Sequence, residues 1–238
     1  MQAESKPTPP QIDFTAAFSH VWKMPGAKGF IFTGGLLYLL FFLIVPLFIL
    51  SGYPISAARA LHAGEPLPPA WKWSHAVDGL KLFVVTIAIG LPFMLLAALI
   101  FVPSILRLGP EATEGEIVQM TSGWVARTGV SQLVGLVFTA IQPAILAILA
   151  RTGRIAEAFK ITNYSDLMKT FGFGYLLAPL AFFVSGILAG LGLLACLVGV
   201  LFTGFYAITI QTHIVYQLVD GMSSHPRADV VRPKELAS

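Results

Sequence analysis

From Phe171 to Leu218 there is not one Asp, Glu, Lys or Arg, a gap of forty-eight residues in a chain of 238. As a helix this stretch would extend roughly 72 Å, more than twice the ~30 Å hydrocarbon core of a bilayer, so it is expected to cross, turn and cross again. Charge is scarce throughout: 11% of residues are charged and 56% hydrophobic, whereas about a quarter of an ordinary globular domain is charged. A solvent of lipid is implied, and the length leaves no room for a separate soluble catalytic module. Cysteine is nearly missing too. Cys196 stands alone in an apolar stretch, so no intrachain disulfide can form and nothing indicates an oxidising compartment.

Motifs of chemistry are missing as well. There is no H-E-x-x-H helix for zinc, no G-x-x-x-x-G-K-S/T loop for phosphate and no G-x-S-x-G elbow for a serine nucleophile. Asp78-Gly79 lacks the further aspartates of a metal-dependent head-group transferase and reads as a helix start at the interface. His225 and Asp229 are separated by Pro226 in a polar tail without rigid support. No carboxylate or lysine is placed at mid-depth of a span, which removes the usual proton-relay groups of coupled transporters. These gaps lead to the expectation of a noncatalytic protein with no cofactor and no metal. The net charge of +3 is small and its basic residues sit at span ends, so no nucleic-acid partner is expected.

The residues that are present give an all-α, polytopic integral membrane bundle. Residues 1–12 read as a disordered polar tail without the order of a secretory leader, 13–220 as one helical membrane domain, and 221–238 as a polar C-terminal tail. Asp13 is the expected N-cap of an interfacial amphipathic helix, with Phe14, Ala17, Phe18, Val21 and Trp22 at helical spacing. Gly29 to Ala58 is free of charge but, at about 45 Å of helix, long for one crossing and short for two. Pro46 and the Gly52-Tyr53-Pro54 cluster are its expected interruptions. One crossing, two crossings or a re-entrant hairpin all remain open there.

A proline-bearing surface loop from Leu61 to Asp78 follows, with Trp71 and Trp73, like Trp22, suited to the headgroup layer. Clean spans run from Leu82 to Leu106, with Pro92 inside, and from Thr128 to Ala150, separated by an acidic connector holding Glu111, Glu114 and Glu116. A basic connector then leads into the long uncharged stretch, whose turn is expected around Gly190, Gly192 and Gly199.

Polar side chains within the spans are few, and Gln142, Gln211, His213 and Gln217 are the candidate contacts to neighbouring helices or to partner subunits. His213 as a haem or chlorophyll ligand is the sharper alternative; His20, His62 and His75 all fall in connectors. Gln132, Gln142, Thr139 and Gln211 are the only obvious material for a pore.

The chain also contains a faint internal repeat. Ala17-Phe18, Lys28 and Phe30 recur in spacing as Ala158-Phe159, Lys169 and Phe171, and the hydrophobic runs that follow reach Ser51-Gly52-Tyr53 and Thr203-Gly204-Phe205. If the two runs correspond, both are hairpins.

Six crossings place thirteen of the fifteen Lys and Arg residues on one side, leaving Arg107 and Arg127 on the other beside three glutamates. Basic connectors stay cytoplasmic, so both termini are expected in the cytoplasm, the Pro110 to Arg127 loop outside, and the protein in the cell inner membrane.

Gly52-Tyr53, Arg59, Gly64-Glu65, Leu67-Pro68 and a tryptophan, closing with Asp78-Gly79-Leu80-Lys81 before a span, resemble the signature connector of the uncharacterised prokaryotic membrane family known as domain of unknown function 4013. Gly153-Arg154 to Ala158-Phe159 and Gly204-Phe205-Tyr206 are similar too. The resemblance implies a multi-span helical protein without an assigned activity and supplies no catalytic residues. A scaffold or accessory subunit of a larger membrane complex, in contact with membrane lipids and other subunits, is the expected function; a small-solute or lipid transporter or channel is the alternative.

Overall fold

Charge-free runs become helices because a backbone in lipid must satisfy its hydrogen bonds internally, and in a computed structural model every regular element among the described residues is helical. The structure describes residues 10–40, 43–65, 71–106, 135–192 and 196–224. Helix α1 is Phe14–Ser19, α2 Ala27–Leu39, α3 Ile44–His62 and α4 Trp73–Leu106. Helix α5 is Gly135–Thr152. Helices α6 Ile161–Phe171, α7 Leu177–Leu191 and α8 Cys196–Ser224 follow.

Four helical stretches are long and apolar enough to cross a membrane, namely Ile44–His62, Trp73–Phe93, Gly135–Thr152 and Ile161–Leu191. Helix α2 is apolar but has 13 residues, about 20 Å, short of a full crossing. Large apolar side chains such as Phe32, Ile44, Phe83, Ile87, Leu99 and Phe183 point outward, a surface suited to hydrocarbon rather than water.

The uncharged run Gly29 to Ala58 folds as two helices, and its break is not where the sequence suggested. It falls after α2, with Leu40 ending that helix and Leu43 extended. Pro46 lies in the first turn of α3, where no intrahelical donor is missed, and Pro54 lies within α3, covered by its neighbours. The long uncharged stretch also divides, into α7 and α8, with the break between Leu191 and Cys196 beside the expected glycines. Upstream, Gly172 takes a positive φ of 54° that separates α6 from the turn leading into α7.

Connector boundaries shift as well. Helix α3 continues to His62 and α4 starts at Trp73, so Trp73 and Asp78 are helical rather than part of a loop. Helix α4 continues through Pro92. Helix α5 is described from Gly135 and runs two residues past Ala150, while the expected start of that span, Thr128 to Val134, lies outside the described residues. The acidic connector, Gln132, the tails 1–9 and 225–238, and Leu67-Pro68 lie outside the described residues.

Helix α8 is the axis of the assembly, touching α1, α2, α3, α6 and α7. Ala144 to Ala150 of α5 are all buried, so that half of α5 is surrounded on every face. A second core forms at the α2–α3–α8 junction, where Phe30, Tyr53, Trp71 and Phe205 pack ring against ring.

Small residues set the close approaches. A Cβ on Gly52 would collide with the backbone of His75 and Gly79, and one on Gly79 with the Phe48 carbonyl, so only glycine lets α3 and α4 touch backbone to backbone.

Candidate functional site

Three polar constellations are embedded in this apolar frame. The glycine contact between α3 and α4 brings Arg59 and Asp78 together at one end of the bundle. Arg59 Nη1 donates to Asp78 Oδ2 at 3.1 Å, and Lys81 Nζ donates to Asp78 Oδ1 at 3.2 Å. The same guanidinium donates from Nε to the Ala150 carbonyl at 3.1 Å and from Nη2 to the Leu149 carbonyl at 3.3 Å. Both carbonyls belong to the last turn of α5, whose end Gly153 closes with φ 65°. A cation at this helix C-terminus also meets the negative end of the helix dipole. Arg59 thus fastens three helices at one point, while the Asp78 side chain is only 4% exposed.

One turn away, Ser56 Oγ donates to the Gly52 carbonyl at 2.9 Å and lies 2.6 Å from His75 Nδ1. Since the hydroxyl hydrogen is committed, the geometry assigns the Nδ1–H tautomer to the buried His75. Asp78, expected at a helix start on the interface, is instead in the second turn of α4 and interior. The i, i+3 spacing to Lys81 was the readable signal; the pairing with Arg59 was not.

The second constellation holds the N-terminal segment against α8. Asp13 caps α1 by accepting from the Ala16 N–H at 2.9 Å. Its backbone is gripped by one side chain: Asp13 N donates to Gln217 Oε1 at 2.7 Å, and Gln217 Nε2 donates to the Asp13 carbonyl at 3.0 Å. Gln217 Nε2 also lies 2.9 Å from His213 Nδ1, so Nδ1 accepts and His213 carries its hydrogen on Nε2.

Tyr206 donates to the Phe18 carbonyl at 2.6 Å, and Ile12, Ala17 and Val21 are buried beneath the strap. His20 ends α1 with its ring centroid 4.3 Å from that of His213, a pairing that its place in a connector did not reveal. Burial, and secondarily Lys23, hold the His20 pKa below its ordinary value of 6.5.

The third is a cavity of about 220 Å³ bounded by Tyr38, Leu47, Ser51, Leu146 and the two glutamines Gln142 and Gln211. Gln211 Nε2 donates to Ser185 Oγ at 3.1 Å, tying α8 to α7. Among the described residues Gln142 has no hydrogen-bond partner. Thr139 spends its hydroxyl on the Gly135 carbonyl of its own helix.

Of the candidate residues, then, Gln142 and Gln211 border one cavity, and His213 meets Gln217. The tryptophans separate: Trp71 packs on Tyr53 and Phe205, Trp22 lies half-exposed on Tyr206, and Trp73 projects outward, 74% exposed. Among the described residues, no group of three His, Cys, Asp or Glu side chains is placed to hold a metal ion.

No curated protein and no solved structure matches the chain. A family model described as protein of unknown function (DUF4013) matches residues 36–216, from late α2 to near the end of α8, and so takes in both the Arg59 cluster and the glutamine-lined cavity while leaving out α1 and Gln217. With three-quarters of its length inside that match, the chain belongs to the DUF4013 family.

Proposed function

We propose that this protein is a noncatalytic integral membrane protein of the cell inner membrane, acting as a scaffold or accessory subunit of a larger membrane complex. The observation that carries this reading is how the polar side chains are spent. Arg59, Asp78, Lys81, Ser56, Gln211, Ser185 and Gln217 hold helices and the N-terminal strap in place, an economy suited to a rigid platform.

The proposed architecture has six crossings, with α2 as a short member of the first hairpin and α8, at 29 residues, as the last. Both termini are cytoplasmic. Supporting this, contacts from Arg59 to Asp78 and to Leu149, from His62 to Asp220 at 3.5 Å and from Asp13 to Gln217 gather one end each of α3, α4, α5 and α8 with the N-terminal strap. The basic residues cluster near those ends, as cytoplasmic segments do.

A small-solute or lipid transporter is the second reading, favoured by one observation, that Gln142 and Gln211 border the same cavity. Purification from native membranes in mild detergent separates the two. A reproducible set of co-purifying subunits, with no solute flux when the pure chain is placed in liposomes, supports the scaffold; flux by the pure chain and no stable partner overturns it.

A further inference from the structure

We propose that the cavity between α3, α5 and α8 is a binding site for an uncharged lipid bearing a carbonyl or hydroxyl group at its polar end. The lining dictates this chemistry. Gln142 and Gln211 sit near the middle of α5 and α8, and Ser51 near the middle of α3, so the site lies deep in the apolar layer, below the reach of a phosphate headgroup.

Among the described residues no Asp, Glu, Lys or Arg lines it, and a charged ligand would be left without a counter-ion from them in a medium where that is costly. The hydrogen-bonding capacity that remains is specific. Gln142 offers two N–H donors and a carbonyl, Gln211 retains its carbonyl after donating to Ser185, and Ser51 Oγ, having donated to the Phe48 carbonyl, is left as an acceptor. A bare amide at mid-depth is expensive unless something satisfies it. A ligand carbonyl accepting from Gln142 Nε2, or a hydroxyl donating to Gln211 Oε1, does so.

Apart from Tyr38, the remainder of the wall is Leu47, Leu146 and other apolar side chains, with Leu47 and Gln142 exposed at its mouth, so a hydrocarbon tail can leave sideways into the bilayer. Diacylglycerol and an isoprenoid quinone both carry this chemistry.

The full chain in liposomes is photolabelled with a diazirine-bearing diacylglycerol and the modified peptides are mapped, with unlabelled diacylglycerol, a short-chain ubiquinone or phosphatidylglycerol as competitors. Labelling concentrated on residues 47–54, 142–146 and 208–211 and displaced by one of the two uncharged lipids supports the site and names its source. Gln142→Leu, which breaks no bond to a described residue, should weaken labelling about three- to tenfold, the scale of one hydrogen bond. Leu47→Trp at the mouth should weaken it as well. Uniform labelling over the outer helix faces, equal displacement by phosphatidylglycerol, or indifference to both substitutions overturns the proposal. Subunit co-purification is a separate readout, so either reading can fail alone.

Discussion

Tyr53 of α3 and Phe205 of α8 pack with ring centroids 6.1 Å apart, and each is the aromatic residue of a Ser/Thr-Gly-aromatic step in one copy of the internal repeat. The two copies run through the helix pairs α2–α3 and α7–α8, and the two steps meet where α3 and α8 touch. In each step the glycine admits a neighbour: Gly52 the backbone of α4, and Gly204 the ring of Tyr38.

Replacing Gly52 by alanine should therefore force α3 from α4. A loss of about 2 kcal/mol or more is expected, because the obstacle is backbone and cannot rotate away. Gly186→Ala and Gly190→Ala, with open space at their Cβ positions, should be neutral or slightly stabilising. Unfolding midpoints in detergent with increasing SDS check this, and equal losses at all three positions would refute the close-approach argument.

Arg59→Ala should cost more than Lys81→Ala. Removing Arg59 leaves the interior Asp78 with only Lys81 and frees two carbonyls of α5, whereas removing Lys81 deletes a single contact. Arg59 is 44% exposed, which tempers the electrostatic part, so about 2 kcal/mol is expected for Arg59→Ala and under about 1 for Lys81→Ala. The same SDS titration reads it, and a larger effect at Lys81 would contradict the three-helix role of Arg59.

The N-terminal strap should loosen in acid. Docked His20 binds its proton less readily than the exposed group, so the released strap takes up more protons and docking weakens as pH falls below 6.5 towards the lower, docked value. Above 6.5 the contribution of neutral His20 is complete. A spin label on Thr15→Cys in a Cys196→Ala background should become more mobile between pH 7.5 and 5, and His20→Asn should flatten that profile. Gln217→Leu should give high mobility at every pH, since it removes both bonds to the Asp13 backbone.

Sidedness is checked with single cysteines, again in Cys196→Ala. An impermeant thiol reagent added outside should label Glu114→Cys and spare Lys72→Cys and Lys160→Cys. Labelling of either of the latter, with none at Glu114→Cys, would overturn the proposed six crossings.

Much of this fold is legible as composition, because lipid excludes charge and leaves long uncharged runs such as Phe171 to Leu218. The separation of α2 from α3 is not, since α2 ends at Leu39 and α3 starts at Ile44 with no glycine, proline or polar residue in the sequence between them. Pro54, the conspicuous breaker, is inside a helix because its neighbours cover it. At the candidate sites the residue types were readable and their partners were not. Gln217 and His213 stand out as polar groups in an apolar helix, but what Gln217 holds is a main-chain segment, which carries no side-chain signature. A loop reaching to Asp78 puts that residue at a helix start, whereas the observed start at Trp73 puts it in the second turn of α4, buried against α3.

The bonds between Asp13 and Gln217 join residues 204 positions apart, the cap of the first described helix to the last described helix. Synthesis proceeds from the N-terminus at about 5–20 residues per second, so the strap must wait roughly 10–40 s for its partner to emerge. Throughout that interval the apolar face of the strap, with Ala17 and Val21 at its centre, lacks the helix that later buries it. Docking of the strap is thereby a late event of biogenesis, and a chain truncated ahead of α8 would keep that face uncovered for insertion quality control to find.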